Sequence, residues 1–468
     1  MASAVIVHLL FFLFQSSVTS AASPFAGVNI AGFDFGSDTQ GKHNLSNAFG
    51  PVITIGNGNS DGAAQMRHFV QKGLNTFRLP TTWQFMINSN NLNGSAVNIA
   101  ASGFTTSDGT LDQNNTAQYD QLVQDCLATG SYCIVDIHNY ARFEGQIIGQ
   151  GGPTNEQFAS LWSQIATKYK NESRVIFGVM NEPHDIPDLS LWANTVQAAV
   201  TAIRMSGATK QLILLPGTDF TGAQTFISNG SAGNLSRVHN PDGTNTSLIF
   251  DVHKYLDSDG SGTHLECVSD HIQDTFTPLA QFLAANGRKA ILSETGGGNT
   301  TSCITDLCNE LAFINMNTGS FIGYTAWAAG GFSPFDYSLT LTPKGSAGNF
   351  TDQEIASLCV IGTRVGYYNE TATNVTETAS SSHYSQSHSV LPQPEVVLTA
   401  GVQNINRCGW IGSITALAAV SEKRELPPPP CFMTPVKIFK GLLKSSLLLI
   451  TLLLLNLKIY KKYIYNPY

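Results

Sequence analysis

The chain has 468 residues, of which 42% are hydrophobic and only 12% charged, with a formal net charge of −8 at pH 7. That length and apolar content can fill one large core. The acidic balance excludes nucleic acid as a partner, since no basic face is available to neutralise phosphates, and it suits a neutral ligand as well as a cationic one.

Residues 5–14 are almost wholly apolar and residues 15–22 are small and polar. This is the pattern of a secretion signal over residues 1–22, and ten or so apolar residues are too few to cross a bilayer. Export to the extracellular space also suits the Asn-x-Ser/Thr glycosylation acceptors, among them Asn44, Asn93, Asn171, Asn234 and Asn299. Of eight cysteines, six lie between residues 126 and 359, as expected for disulfides in a secreted chain. No Cys-x-x-Cys pair occurs, so a zinc site is not expected.

Between residues 23 and 365, short apolar runs alternate with helix-period stretches. A candidate strand at 27–31 is followed by the helix face Met66, Phe69 and Val70, which Gly73 ends, and then by a strand at 75–79. Tyr119, Leu122, Val123, Cys126 and Leu127 fall at helical spacing before Gly130 and a strand at 133–138. Phe158, Leu161, Trp162, Ile165 and Tyr169 repeat the pattern, opened by Thr154 and Gln157 in capping-box spacing, ahead of a strand at 175–181. Leu189, Trp192, Val196 and Ile203 lead on to strands at 212–215, 248–253, 290–294 and 322–327. Such stripes are buried helix faces rather than binding surfaces. Continuous apolar strands belong to a parallel sheet covered on both sides. Eight of them alternating with helices predict an α/β fold, a (β/α)8 TIM barrel forming a single catalytic domain over residues 23–365.

Beyond this the pattern stops, and an irregular C-terminal extension is expected. Residues 366–435 read as a solvated, disordered linker containing Ser/Thr and Pro, without a core pattern. Residues 436–468 form an apolar and basic tail of no assigned role. Its stretch 445–457 is short for a membrane span, although Lys444 and Lys458 could stretch it by snorkelling, which leaves membrane association of the tail open; the lysines after it do not suit a lipid-anchor signal.

In a barrel of this kind, reactive groups project from the C-terminal ends of the strands. Polar residues sit at those ends: Arg78, His138, Asn181 with Glu182, His253 with Tyr255, Glu294, and the aromatic Trp327. Any one of them alone reads equally well as a hydrogen-bonded core residue. Converging on one barrel mouth, they read as a site. Glu182 and Glu294 are the two carboxylates at strand ends, and glycoside hydrolysis needs one proton donor and one nucleophile, roughly 5–5.5 Å apart when configuration is retained. An arginine near one of them would keep it ionised for the nucleophilic role. The sequence leaves open which glutamate Arg78 approaches.

Residues 24–365 resemble glycoside hydrolase family 5, and within it the fungal secreted endo-β-1,4-glucanases. The resemblance rests on Gly27-Val28-Asn29-Ile30-Ala31-Gly32, Phe77-Arg78-Leu79-Pro80, the Asp136–Arg142 segment with His138, Val179-Met180-Asn181-Glu182-Pro183, Asp251-Val252-His253-Lys254-Tyr255, Ile291-Leu292-Ser293-Glu294-Thr295-Gly296 and Ala326-Trp327. It implies cleavage of internal β-1,4-glucosidic bonds with retention, no cofactor or metal, a polysaccharide partner such as cellulose, and a monomer. Glu182 would be the acid/base and Glu294 the nucleophile, oriented by Arg78 and Tyr255. Asn181 would bond the sugar 2-hydroxyl, His138 and His253 would complete the polar shell, and Trp327 would lie under the sugar ring. The implied disulfides are Cys126–Cys133, Cys267–Cys303 and Cys308–Cys359. No cellulose-binding module is expected, since Cys408, Cys431 and Trp410 are too few to build one.

Three other readings are weaker. A metal hydrolase using His138 and His253 has no His-x-x-x-His pair to support it, and a non-catalytic sugar-binding barrel would not need both glutamates. A mannanase or β-1,3-glucanase on the same scaffold is the nearest alternative, and loop residues near Trp83 and Tyr140 are expected to decide it.

Overall fold

Eight parallel strands close into a barrel, as the alternation of apolar runs and helices predicts. The computed structural model describes residues 23–51, 61–92, 99–100, 103–104 and 109–365. The readings made above for residues 1–22, for Asn93 and for residues 366–468 lie outside the described residues. The barrel strands are β1 (Phe25–Ala31), β2 (Thr76–Thr81), β3 (Tyr132–Ile137), β4 (Val175–Gly178), β5 (Ile213–Pro216), β6 (Leu248–His253), β7 (Ala290–Glu294) and β8 (Phe321–Gly330). They pair in chain order, and β1 closes the ring by pairing with both β2 and β8.

Nearly every strand residue is buried, because the barrel interior takes one face and the helices take the other. Backbones approach closely at the closure: an added Cβ at Gly27 would lie 1.5 Å from the Thr76 carbonyl oxygen, so only glycine fits there.

The helices that cover the barrel include α1 (Gly62–Gln71), α2 (Gln113–Ala128), α3 (Asn155–Tyr169), α4 (Leu189–Met205), α5 (Thr277–Ala285) and α6 (Thr301–Met316). The apolar stripes of α2 and α3 are buried as their spacing requires. Thr154 and Gln157 form the reciprocal capping box at the start of α3, satisfying two backbone N–H groups that the helix cannot.

Three disulfides fasten the outer layer. Cys126–Cys133 joins the end of α2 to β3, Cys267–Cys303 ties the loop after β6 to α6, and Cys308–Cys359 ties α6 to the final helical segment. The last two close loops of 36 and 51 residues, each contributing about 2–4 kcal/mol by limiting the unfolded chain.

Candidate active site

Strand parity positions most of the polar groups at the barrel mouth. Side chains two apart share a face, so Ile134, Asp136 and His138 line up along β3 and its end, as do Ile249, Asp251 and His253 along β6, and Ile291 and Ser293 along β7. The lowest members join Phe25, Ile176 and Leu214 in an apolar plug. Above the plug lies a buried layer of Asp136, Asp251 and Ser293, and above that the two histidines. Glu294 lies out of this alternation. The pairing of β6 with β7 shifts between Val252 and His253, which sets Glu294 opposite His253.

Glu182 reaches the mouth by another route. The strand expected over 175–181 ends at Gly178. Beyond it the Val179 carbonyl accepts from Trp162 Nε1 at 3.2 Å, and Asn181 donates its backbone N–H to the Ile137 carbonyl at 2.8 Å. The Val179 N–H still donates to the Leu214 carbonyl of β5 at 3.4 Å, but the Val179 carbonyl has left the ladder for Trp162, and the chain turns with Glu182 at φ 42°. A left-handed backbone at a residue with a side chain costs of order 1 kcal/mol, a strain of the kind concentrated at functional sites.

Arg78, from β2, is completely buried and resolves which glutamate it serves. Its Nη1 donates to Glu294 Oε1 at 2.5 Å and to Asn29 Oδ1 at 2.9 Å, while Nη2 donates to Asn181 Oδ1 at 2.7 Å and pairs with Asp136 at 3.0 Å. Tyr255 donates its hydroxyl to Glu294 Oε2 at 2.8 Å. Burial by itself would raise the Glu294 carboxyl. The charges of His253, Arg78 and His138, with the Tyr255 hydroxyl, outweigh it and hold the group at about 2. Glu294 is therefore an ionised carboxylate at any ordinary pH.

Glu182 sits in different surroundings. Its side chain is 15% exposed, against 5% for Glu294, and its one hydrogen bond among the described residues is to His253 Nδ1 at 2.8 Å. Oxygens of the two carboxylates and the nearest His253 nitrogen all lie within 4.8 Å of one another.

His253 is itself held from below. Ser293 donates its hydroxyl to Asp251 at 2.5 Å, so the Ser293 oxygen accepts from His253 Nε2 at 2.9 Å. That places a proton on Nε2 and leaves Nδ1 facing Glu182, as an acceptor from the protonated acid or, in the charged ring, a donor to the carboxylate. Burial works against a charged imidazole, but Glu294, Glu182 and Asp251 together raise His253 above its ordinary value. Burial raises Asp251 to about 6.

On the opposite wall, His138 bonds Asp136 through Nδ1 at 3.0 Å and stacks on Trp327 with ring centroids 5.5 Å apart. Trp327 is anchored by Nε1, which donates to the Tyr337 hydroxyl at 2.9 Å. The Asn181 amide nitrogen is buried beside Glu182 with no hydrogen-bond partner among the described residues. A cavity of 670 Å³ opens on Glu182, His253 and Tyr255 and is lined also by Tyr140, Phe220 and Lys254.

All eight residues expected at the site thus meet at one mouth. Asn29, Asp136, Asp251 and Ser293 were not singled out from the sequence, although counting back by twos from His138 and His253 reaches Asp136 and Asp251. Of the two residues that mark the loops expected to set substrate preference, Tyr140 lines the cavity, while Trp83 is 1% exposed and packs against Phe143 and Phe158.

Two clusters among the described residues have metal-ligand spacing: Glu182, His253 and Glu294, and Asp257, Asp259 and His264. In each, one carboxylate has both oxygens engaged by protein donors: Glu294 by Arg78 and Tyr255, and Asp257 by its own loop. Asp257 alone accepts from the backbone N–H groups of Gly262, Thr263 and His264.

A family model described as Cellulase (glycosyl hydrolase family 5) matches residues 33–331. The chain belongs to glycosyl hydrolase family 5. It is a glycoside hydrolase acting on a polysaccharide, and the barrel just described is the family-5 fold. Its relatives include the Hypocrea jecorina protein named Endoglucanase EG-II, 54% identical over 345 residues that cover 73% of this chain and 78% of the relative. A second is the Phanerodontia chrysosporium protein named Manganese dependent endoglucanase Eg5A, 46% identical over 70% of this chain and 81% of the relative. The crystal structure of Cel5A (EG2) from Hypocrea jecorina superposes with a TM-score of 0.67 at 53% identity, covering 72% of this chain and 98% of that one.

Proposed function

We propose that this family-5 enzyme is a retaining endo-β-1,4-glucanase in which Glu294 is the nucleophile and Glu182 the acid/base. The observation that carries the mechanism is the pair of carboxylates with oxygens within 4.8 Å of each other, one clamped as an anion by Arg78 and Tyr255 and the other bonded, among the described residues, only to His253. That gap is too small for a water between carboxylate and sugar, which inversion requires at roughly 6.5–9.5 Å, and it suits direct attack. Endoglucanase relatives at 46–54% identity support the linkage and the internal mode of cleavage.

In the first step a Glu294 oxygen attacks the anomeric carbon while Glu182 gives its proton to the departing glycosidic oxygen. A glycosyl ester forms and the reducing-end fragment leaves. In the second, Glu182, now a carboxylate, takes a proton from water, and the water oxygen displaces Glu294 from the same carbon. Two inversions give net retention. The unpaired Asn181 amide is the donor for the sugar 2-hydroxyl, a bond that strengthens as the ring becomes oxocarbenium-like. Trp327, braced by Tyr337 and His138, offers an apolar face to the ring, with His138 and His253 completing the polar shell. No cofactor enters either step.

The leader at residues 1–22 and the disulfides support secretion, and residues 23–365 are the catalytic domain, acting as a monomer. Among the described residues no helix is long and apolar enough to cross a membrane.

The test is a panel of carboxymethylcellulose, mannan, xylan and laminarin, following viscosity beside reducing ends. A rapid viscosity fall on the cellulose derivative, abolished by Glu294→Gln, is expected. Preference for mannan or laminarin would overturn the assigned linkage, and near-normal rates in Glu294→Gln would overturn the mechanism.

A further inference from the structure

One carboxyl close to the site takes no part in the mechanism. Glu310 lies in the middle of α6, completely buried behind β7. Its Oε2 accepts from the Thr295 hydroxyl at 2.9 Å, while Oε1 has no hydrogen-bond partner among the described residues. Thr295 directly follows Glu294, is itself completely buried, and offers its carbonyl to the backbone N–H of Trp327 at 2.7 Å. One hydrogen-bonded line therefore runs from α6 through the residue after the nucleophile to the residue under the sugar ring.

A buried acid is a poor choice for stability alone. An apolar side chain of similar volume in its place, with Thr295 made apolar too, would leave no polar group to desolvate. We propose that Glu310 is a positioning residue that sets the end of β7, and with it Glu294 and Trp327, by holding the Thr295 hydroxyl. This rests on Glu294 being the nucleophile.

The groups that face Glu310 are Lys254 from the end of β6, Asp270 from the loop after it, and Asp306 on its own helix. Burial dominates over the Thr295 bond and Lys254 and pushes the carboxyl well above its usual range, which favours its neutral form. A glutamine can accept the same bond with its amide oxygen and is neutral too. The leash is thus expected to survive Glu310→Gln and to be lost in Glu310→Met, which keeps the volume.

The experiment is first-turnover release of dinitrophenolate from 2,4-dinitrophenyl cellobioside. This leaving group departs without a proton, so the rate reads attack by Glu294 rather than Glu182, and the burst amplitude counts competent enzyme. Glu310→Met is expected to keep its amplitude while the rate falls about tenfold or more, the scale of loss for a catalytic group displaced by a fraction of an ångström to an ångström. Glu310→Gln is expected to recover most of the rate with an unchanged pH profile. Thr295→Val should reproduce the loss, and adding it to Glu310→Met should cost little more, because one link has been cut twice.

A wild-type burst rate in Glu310→Met would overturn the proposal. So would a reduced amplitude at normal rate, which is a folding defect, or a pH profile displaced in Glu310→Gln, which would mean a charged Glu310. Glu294→Gln, run beside them, separates the two readings. If it still turns over, the nucleophile assignment fails; if it is dead while Glu310→Met is normal, the positioning role alone fails.

Discussion

Removing the Tyr255 hydroxyl isolates one of the contacts that keep Glu294 ionised. The hydroxyl donates to Glu294 Oε2 at 2.8 Å in a buried setting. Burial, and then the Glu294 charge, push the phenol well above its ordinary value, so it remains a donor throughout the working range. Tyr255→Phe keeps the ring, which packs against Gly262. A buried hydrogen bond to a charged group contributes roughly 1.5–3 kcal/mol, and about 1.4 kcal/mol corresponds to one pH unit. Loss of this bond should therefore carry Glu294 from about 2 to roughly 3–4, since His253, Arg78 and His138 still act on it. The direction is fixed by the depressed value in the native enzyme: activity that needs the carboxylate is lost as pH falls through it, and weakening the anion moves that loss to higher pH. The assay is kcat/KM for an aryl cellobioside against pH, with brief acid exposure and a check that the fold persists. An acid limb displaced upward by about 1–2 units is expected. An unmoved limb, or one displaced downward, would refute the view that this hydroxyl stabilises the ionised nucleophile.

Glu182→Gln should slow cellulose hydrolysis by a factor of about 10²–10⁴ and spare the glycosylation step of dinitrophenyl cellobioside, whose departure needs no proton; equal loss on both substrates in first-turnover kinetics would remove the acid role. Dialysis against EDTA should leave activity on carboxymethylcellulose unchanged, because both oxygens of Glu294 and both of Asp257, the central carboxylates of the two clusters, already accept from protein donors. A loss restored by added Mn²⁺ would show that an ion belongs to the working enzyme.

Much of this architecture is legible in the residues because it depends on local periodicity. β6 and β7 fall where their apolar runs do, and α3 begins where Thr154 and Gln157 can cap it. Strand ends are less legible, since they are decided by partners far away in the chain. The run from Val175 to Asn181 is apolar enough to continue as a strand, yet Trp162 takes the Val179 carbonyl out of the ladder and the chain turns at Glu182.

The site divides in the same way. Residues at strand ends stand out because a polar group interrupts an apolar run. Asp136, Asp251 and Ser293 lie one step deeper, within runs that read as core, and only the barrel reveals that this core layer is polar. Around Trp83 the sequence points only to a neighbourhood: the short helix that Trp83 begins turns its ring inward against Phe143 and Phe158. The choice of Arg78 between two glutamates depends on the shifted register at the end of β6, which no sequence pattern encodes.

The stereochemistry of the first product formed tests the two-carboxylate account most directly. Cello-oligosaccharide hydrolysis followed by proton NMR from the first minutes should show the β-anomer of the new reducing end, with the α-anomer appearing only as mutarotation proceeds. Initial release of the α-anomer would mean a single displacement by water, and Glu294 could not be the nucleophile.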